Sequence, residues 1–153
     1  MTAGNSCPLN DDATAVLVMS DQKAAEFGLE PIARIIGSAV AGLEPEYMGV
    51  GPIYAVRNVL EQTGMSLDDV DVIEINEAFA AQVLASADEL GIDMDKFNPH
   101  GGAIALGHPF GMTGARIMGT LLNDLQTLDS TYGQETMCVG GGQGMAMIVE
   151  RLN

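Results

Sequence analysis

The chain has 153 residues, 47% of them apolar, and sets six basic residues against twenty-one acidic ones for a formal charge of −15. That length supports one domain with a sizeable core, while so few cations exclude a reader of phosphate backbones and leave little with which to grip a phosphate-rich cofactor, so neither nucleic acid nor a bound cofactor is expected. No apolar run is as long as a membrane span, no basic region leads into an apolar stretch, and two cysteines make no disulfide framework, so the expectation is a cytoplasmic protein without a membrane partner.

In chain order, residues 1–12 are polar and turn-rich, a loop leading into the domain. Residues 13–19 (ATAVLVM) form a continuous apolar run suited to a strand buried on both faces. Ser20 can cap a helix reaching Phe27, stopped by Gly28. A second strand covers 31–40 (PIARIIGSAV), and Pro52 opens a helix that ends at Gly64. Residues 70–75 (VDVIEI) read as a third strand, followed at once by Asn76-Glu77 and an alanine-rich helix over 78–90, closed by Gly91.

A long helix is expected over 109–128, with Pro109 preset for its first position. Its small residues Gly111, Gly114, Ala115 and Gly119 would cost about 1 kcal/mol per Gly relative to Ala, sensible where a neighbouring backbone approaches closely. Residues 135–139 and 145–151 pair across GGGQG as an antiparallel hairpin. Strands alternating with helices predict an α/β fold: a three-layer α/β/α sandwich around a mixed, mostly parallel five-stranded sheet.

Three features could carry chemistry. Residues 98–116 (NPHGGAIALGHPFGMTGAR) hold both histidines and five of the nineteen glycines. His108 falls at or beside a helix N-cap, where the dipole keeps an imidazole neutral and able to accept at one nitrogen while donating from the other; equally, it could simply close a loop. Asn76, between strand and helix, is either an ordinary N-cap or a donor to an oxygen, directly or through a water. Cys138, before Gly140, Gly141 and Gly142, is either a buried structural thiol or a base beside an anion-holding set of N–H groups. No Lys follows those glycines, which argues against a phosphate loop. Two histidines and two cysteines at no ligand spacing make no metal site, and Cys7, in a turn beside Pro8, reads as a bystander.

NEAFAAQ at 76–82, GGAIALGHPFGMTGARI at 101–117 and CVGGGQGMAM at 138–147, in that order, resemble the C-terminal domain of thiolases, the acetyl-CoA acetyltransferases and 3-ketoacyl-CoA thiolases; residues 2–20 resemble the segment leading into that domain. The resemblance implies a thiolase C-terminal domain over 1–153, with 1–12 arriving from the N-terminal half. It implies chemistry beside a thioester carbonyl through an acyl-cysteine. His108 would activate the nucleophile and help hold a thioester oxygen, Asn76 would complete that oxyanion site through a water, and Cys138 would move the α-proton. The Gly140 N–H would serve a second oxyanion hole, and Phe79, with Met19, would line the acyl pocket. It further implies a coenzyme A thioester as substrate with no cofactor bound, a thiolase N-terminal half as partner, and a homo-oligomer.

No position here matches the family's nucleophilic cysteine, so the isolated chain is expected to be inactive and, with an apolar face uncovered, to self-associate. A non-catalytic thiolase-like interaction domain, or one subunit of a split enzyme, is the alternative. Ketoacyl synthases share the architecture but use two histidines where this chain has CVGGG.

Overall fold

Caps and glycine stops set the helices much as the sequence suggests. In the computed structural model, which describes residues 1–153, the Ser20 hydroxyl accepts from the Lys23 N–H at the start of α1 (Asp21–Phe27). Helices α1, α2 (Gly51–Thr63) and α3 (Ala80–Leu90) end on Gly28, Gly64 and Gly91, each left-handed, a conformation glycine adopts without steric cost.

Four strands form the sheet: β1 (Ala33–Gly42), β2 (Val72–Ile75), β3 (Tyr132–Val139) and β4 (Gln143–Arg151), in the order β1-β4-β3-β2. Alternation along them assigns the layers. Val72 and Val149 pack with Met118, Leu121 and Leu125 of α5 (Thr113–Thr127) on one face. On the other, Ile148 and Ala146 meet Ala55, Val56 and Val59 of α2, while Ile73 and Ile75 meet Val83 and Ala87 of α3. The three-layer α/β/α arrangement therefore stands.

The sheet differs from expectation in two respects. It has four strands rather than five, and only β2–β3 is parallel; β1–β4 and β3–β4 are antiparallel, so it is mixed but not mostly parallel. Residues 13–19 make no ladder, and their valines and leucine stand exposed. This run lies along the turn before α5, where the Thr14 hydroxyl donates to Met112 O at 3.0 Å. Apolar character favoured burial, but the run pairs with no strand of the chain.

The long helix also begins later than expected. Residues 103–106 form a separate turn, α4 (Ala103–Leu106), and Pro109 opens a tight turn, with Met112 N–H donating to Pro109 O at 3.0 Å before α5 starts at Thr113. A Cβ placed on Gly111, Gly114 or Gly119 would meet nothing within 4 Å, so no backbone of this chain presses on those glycines. Close approach occurs instead where a Cβ on Gly144 of β4 would strike the Gly51 backbone at the start of α2. No helix is long and apolar enough to cross a membrane.

Candidate active site

The chain between the parallel strands β2 and β3 passes through α3, α4 and α5. Helix α5 feeds directly into β3, so its last turn lies at the starting edge of the strands and its first turn at their carboxyl ends. Asp71 marks the starting edge, where its carboxylate accepts the Thr131 and Tyr132 N–H groups at 2.8 Å. Carboxyl ends of parallel strands are where α/β sheets place their sites, and the chain delivers Asn76, His108 and Cys138 to that end.

Asn76 follows β2 directly, and its N–H donates to Thr136 O of β3 at 3.0 Å. The residue is 1% exposed, yet neither carboxamide atom has a hydrogen-bond partner in the chain. Leaving such a group unpaired costs on the order of 1–3 kcal/mol, so this carboxamide is suited to a water or a substrate oxygen. Cys138 lies two residues beyond Thr136 and is a free thiol, 5% exposed. Burial pushes its pKa above the ordinary thiol range, and negative charge on Cys7 would push it further. Cys7 lies close by: its N–H donates to Ala78 O at 3.1 Å, and neighbouring Ser6 bridges to Phe79. In the hairpin turn, the N–H groups of Gly140, Gly141 and Gly142 donate to no acceptor in the chain.

His108 sits half-buried between α4 and α5, with its ring edge-on to Phe110 at 4.9 Å between centroids. Its Nδ1 lies 2.6 Å from the Thr113 hydroxyl, which in turn donates to Pro109 O at 3.0 Å. With the hydroxyl's single proton on that carbonyl, Nδ1 carries the ring hydrogen and Nε2 the lone pair; with it on Nδ1, the two are exchanged. Burial, then the nearby Arg116 charge, lower the His108 pKa. The ring is therefore neutral near pH 7, although not through a helix dipole, since α5 starts five residues later.

Between β2, β3 and α5 lies a layer of ionisable side chains with no counterpart in the sequence reading. Burial, reinforced by Asp124, raises the Glu74 pKa to about 9, and burial raises Glu135 to about 8 despite the Arg116 charge. Glu74 and Glu135 are register partners on β2 and β3. Asp124 also meets His100 Nδ1 at 2.6 Å. Thr113, Arg116 and Glu74 escaped notice because helical and strand periodicity mark such positions simply as core; an acid inside a strand as short as VIEI was the available signal. Phe79 caps α3 half-buried, and Met19 ends residues 13–19, also half-buried. Two surface clefts, about 410 Å³ beside α3 and about 500 Å³ beside Leu122 and Arg151, touch none of these residues.

Comparison with known proteins identifies the family. The family model described as thiolase, C-terminal domain, matches residues 29–151. The chain is 52% identical over 153 residues to an acetyl-CoA acetyltransferase of Escherichia coli, covering 100% of this chain and 39% of that protein. It is likewise 52% identical to a 3-ketoacyl-CoA thiolase of Saccharophagus degradans, covering 99% of this chain and 40% of the other. Among solved structures, the Bacillus anthracis acetyl-CoA acetyltransferase superposes with a TM-score of 0.95 at 49% identity, over 99% of this chain and 38% of that one. The human mitochondrial 3-ketoacyl-CoA thiolase superposes with a TM-score of 0.92 at 39% identity, over 100% of this chain and 39% of that one. The chain thus spans about two fifths of the length of these relatives.

Proposed function

The chain belongs to the thiolase family, matching its C-terminal domain, and from that premise we propose that it supplies half of an active site working on the carbon beside a thioester carbonyl. The activity is that of an acetyl-CoA C-acyltransferase: carbon–carbon bond formation, or thiolytic cleavage of a 3-ketoacyl-CoA, through an acyl-cysteine. The observation that carries this reading is the Asn76 carboxamide, buried and unbonded within the chain, one residue past a strand whose neighbour bears Cys138.

Each group then has a task. In the tautomer with the lone pair on Nε2, His108 takes the proton of the nucleophilic thiol there; once protonated, it donates to the thioester oxygen together with a water held by Asn76. The Cys138 thiolate removes the proton from the substrate α-carbon, and the C–H electron pair moves into the enolate, whose oxygen those donors stabilise. The Gly140 N–H faces the oxyanion of the tetrahedral intermediate in acyl transfer. Phe79 and Met19 line the acyl pocket. The nucleophile comes from outside these 153 residues, so the isolated chain does not turn over. The partners are an acyl-CoA and a thiolase N-terminal half, the working form is a homo-oligomer in the cytoplasm, and no cofactor is bound.

The test joins this chain to the part of the Escherichia coli acetyl-CoA acetyltransferase that it does not span and follows thiolysis of a short 3-ketoacyl-CoA. The fusion turns over, the chain alone does not, and His108→Ala or Cys138→Ala lowers kcat by roughly 10³-fold, as for loss of a general acid or base. A folded but inactive fusion would instead favour a non-catalytic interaction domain.

A further inference from the structure

We propose that Glu77 is a positioning residue whose carboxylate clamps the His108 loop to the Asn76 loop. Its effect on catalysis rests on the function proposed above, whereas the clamp itself rests on geometry alone. Glu77 Oε1 accepts from Asn98 Nδ2 at 3.0 Å, and Glu77 Oε2 accepts from the Ile104 N–H at 3.0 Å. Two donors from separate segments thus converge on one carboxylate, immediately beside Asn76.

Neither donor can turn away. Asn98 Oδ1 accepts from the Ile75 N–H at 2.8 Å, its Nδ2 also donates to Ile75 O at 3.0 Å, and its own N–H donates to Ile73 O at 2.9 Å. The carboxamide completes the edge of β2 like one more strand residue, which fixes its oxygen toward Ile75 and its amino group toward Glu77. The backbone accepts a left-handed φ of 40° there, which asparagine tolerates better than most residues. Ile104 N–H belongs to the first turn of α4, where no earlier carbonyl of the helix can reach it. Helix α4 closes with the Gly107 N–H on Ala103 O at 2.8 Å, and His108 follows directly. One turn of helix therefore transmits the position of the Glu77 carboxylate to the imidazole.

The pocket around this carboxylate is cut to fit it. A Cβ on Gly102 would meet Glu77 Cδ at 2.6 Å, so only glycine lets the backbone lie against the acid. On the far side, Asn10 Nδ2 donates to Leu106 O at 2.9 Å, holding the end of α4 from the opposite direction. Because both Glu77 partners are donors, glutamine of the same shape satisfies only one of them, its amino group facing the other. The clamp thus requires two acceptor oxygens, and with both engaged Glu77 is not the group that exchanges protons with substrate.

Two measurements test this. In the 153-residue chain, amide hydrogen exchange and the His108 ring signals are read by NMR for Glu77→Gln and for Gly102→Ala, the latter displacing the carboxylate without removing it. Exchange at Ile104 rises by about tenfold or more, the worth of one buried hydrogen bond, and the Asn76 and His108 side-chain signals move, while amides in β3 and β4 do not. Should Glu77→Gln fail to fold, Gly102→Ala gives the same reading. In the fusion enzyme, with active sites counted by acylation, Glu77→Gln lowers kcat by about 10²-fold through misplacement of the imidazole, with KM unchanged. Unmoved Ile104 exchange and His108 signals overturn the clamp, and an unaltered kcat per active site overturns its role in positioning the imidazole. An inactive fusion with Glu77 intact counts against the proposed function instead, and the NMR readings still judge the clamp.

Discussion

Residues 13–19 and residues 70–75 are both short apolar runs, and the structure treats them in opposite ways. The first has no charged residue, yet Leu17 stands 75% exposed. The second contains Asp71 and Glu74, yet every residue of β2 is buried, Glu74 included at 1% exposure. The difference lies in cover. Strand β2 has β3 at its edge, α3 on one face and α5 on the other, whereas residues 13–19 have a single side-chain hydrogen bond to Met112 O. Hydropathy measures what a segment gains by burial; topology decides whether the chain supplies the cover.

The largest test of that contrast is a pair of truncations in the 153-residue chain. Ile73→Ala removes a fully buried side chain between β2 and α3 and costs about 3 kcal/mol in urea unfolding, within the range for core deletions. Leu17→Ala, from the more apolar run, changes stability by less than about 0.5 kcal/mol, as an exposed substitution should. Equal costs would mean that residues 13–19 are covered in solution by something within the same chain.

Next is the carboxyl inside β2. Glu74 has a folded pKa raised to about 9 from 4.5, first by burial and then by Asp124. For a carboxyl raised on folding, its contribution to stability is intact below pH 4.5 and is lost as the pH climbs toward 9. The loss is roughly 1 kcal/mol per pH unit over that window. Thermal melts of the wild type therefore fall between pH 5 and pH 8 relative to Glu74→Gln, which is the more stable of the two at pH 8. Parallel pH profiles for the two proteins would show that Glu74 is ionised in the fold.

A smaller effect sharpens the exposed side of the contrast. Replacing Val16, Leu17 and Val18 by serine reduces self-association of the isolated chain in light scattering, since these residues form a contiguous exposed apolar run. A strictly monomeric wild type at high concentration would remove the premise.

Much of this architecture was legible in the sequence because local chemistry and fold agree there. Gly28, Gly64 and Gly91 stop helices where they were read to stop them, and GGGQG joins the hairpin. The start of α5 was not legible: Pro109 has the torsion for a first helical turn, but the same torsion suits the tight turn it actually makes, and only Thr113, bonded back to Pro109 O, separates the two. At the candidate site, Asn76, His108 and Cys138 were singled out through motifs. Glu77 and Asn98 were not, because their meeting spans 21 positions of sequence, and no local pattern announces a carboxylate that receives two donors. Gly101-Gly102, twenty-two residues after NEAF, were the visible trace of that close approach.

Cys138 is the group proposed to move the substrate α-proton, and hydrogen–deuterium exchange at the α-carbon of acetyl-CoA, catalysed by the fusion enzyme in deuterium oxide, reads that step directly. The wild-type fusion exchanges the methyl hydrogens, at a rate that rises with pH as the buried thiol ionises; Cys138→Ala abolishes exchange yet still transfers the acyl group to labelled coenzyme A. Undiminished exchange in Cys138→Ala would contradict the assignment and place the base elsewhere.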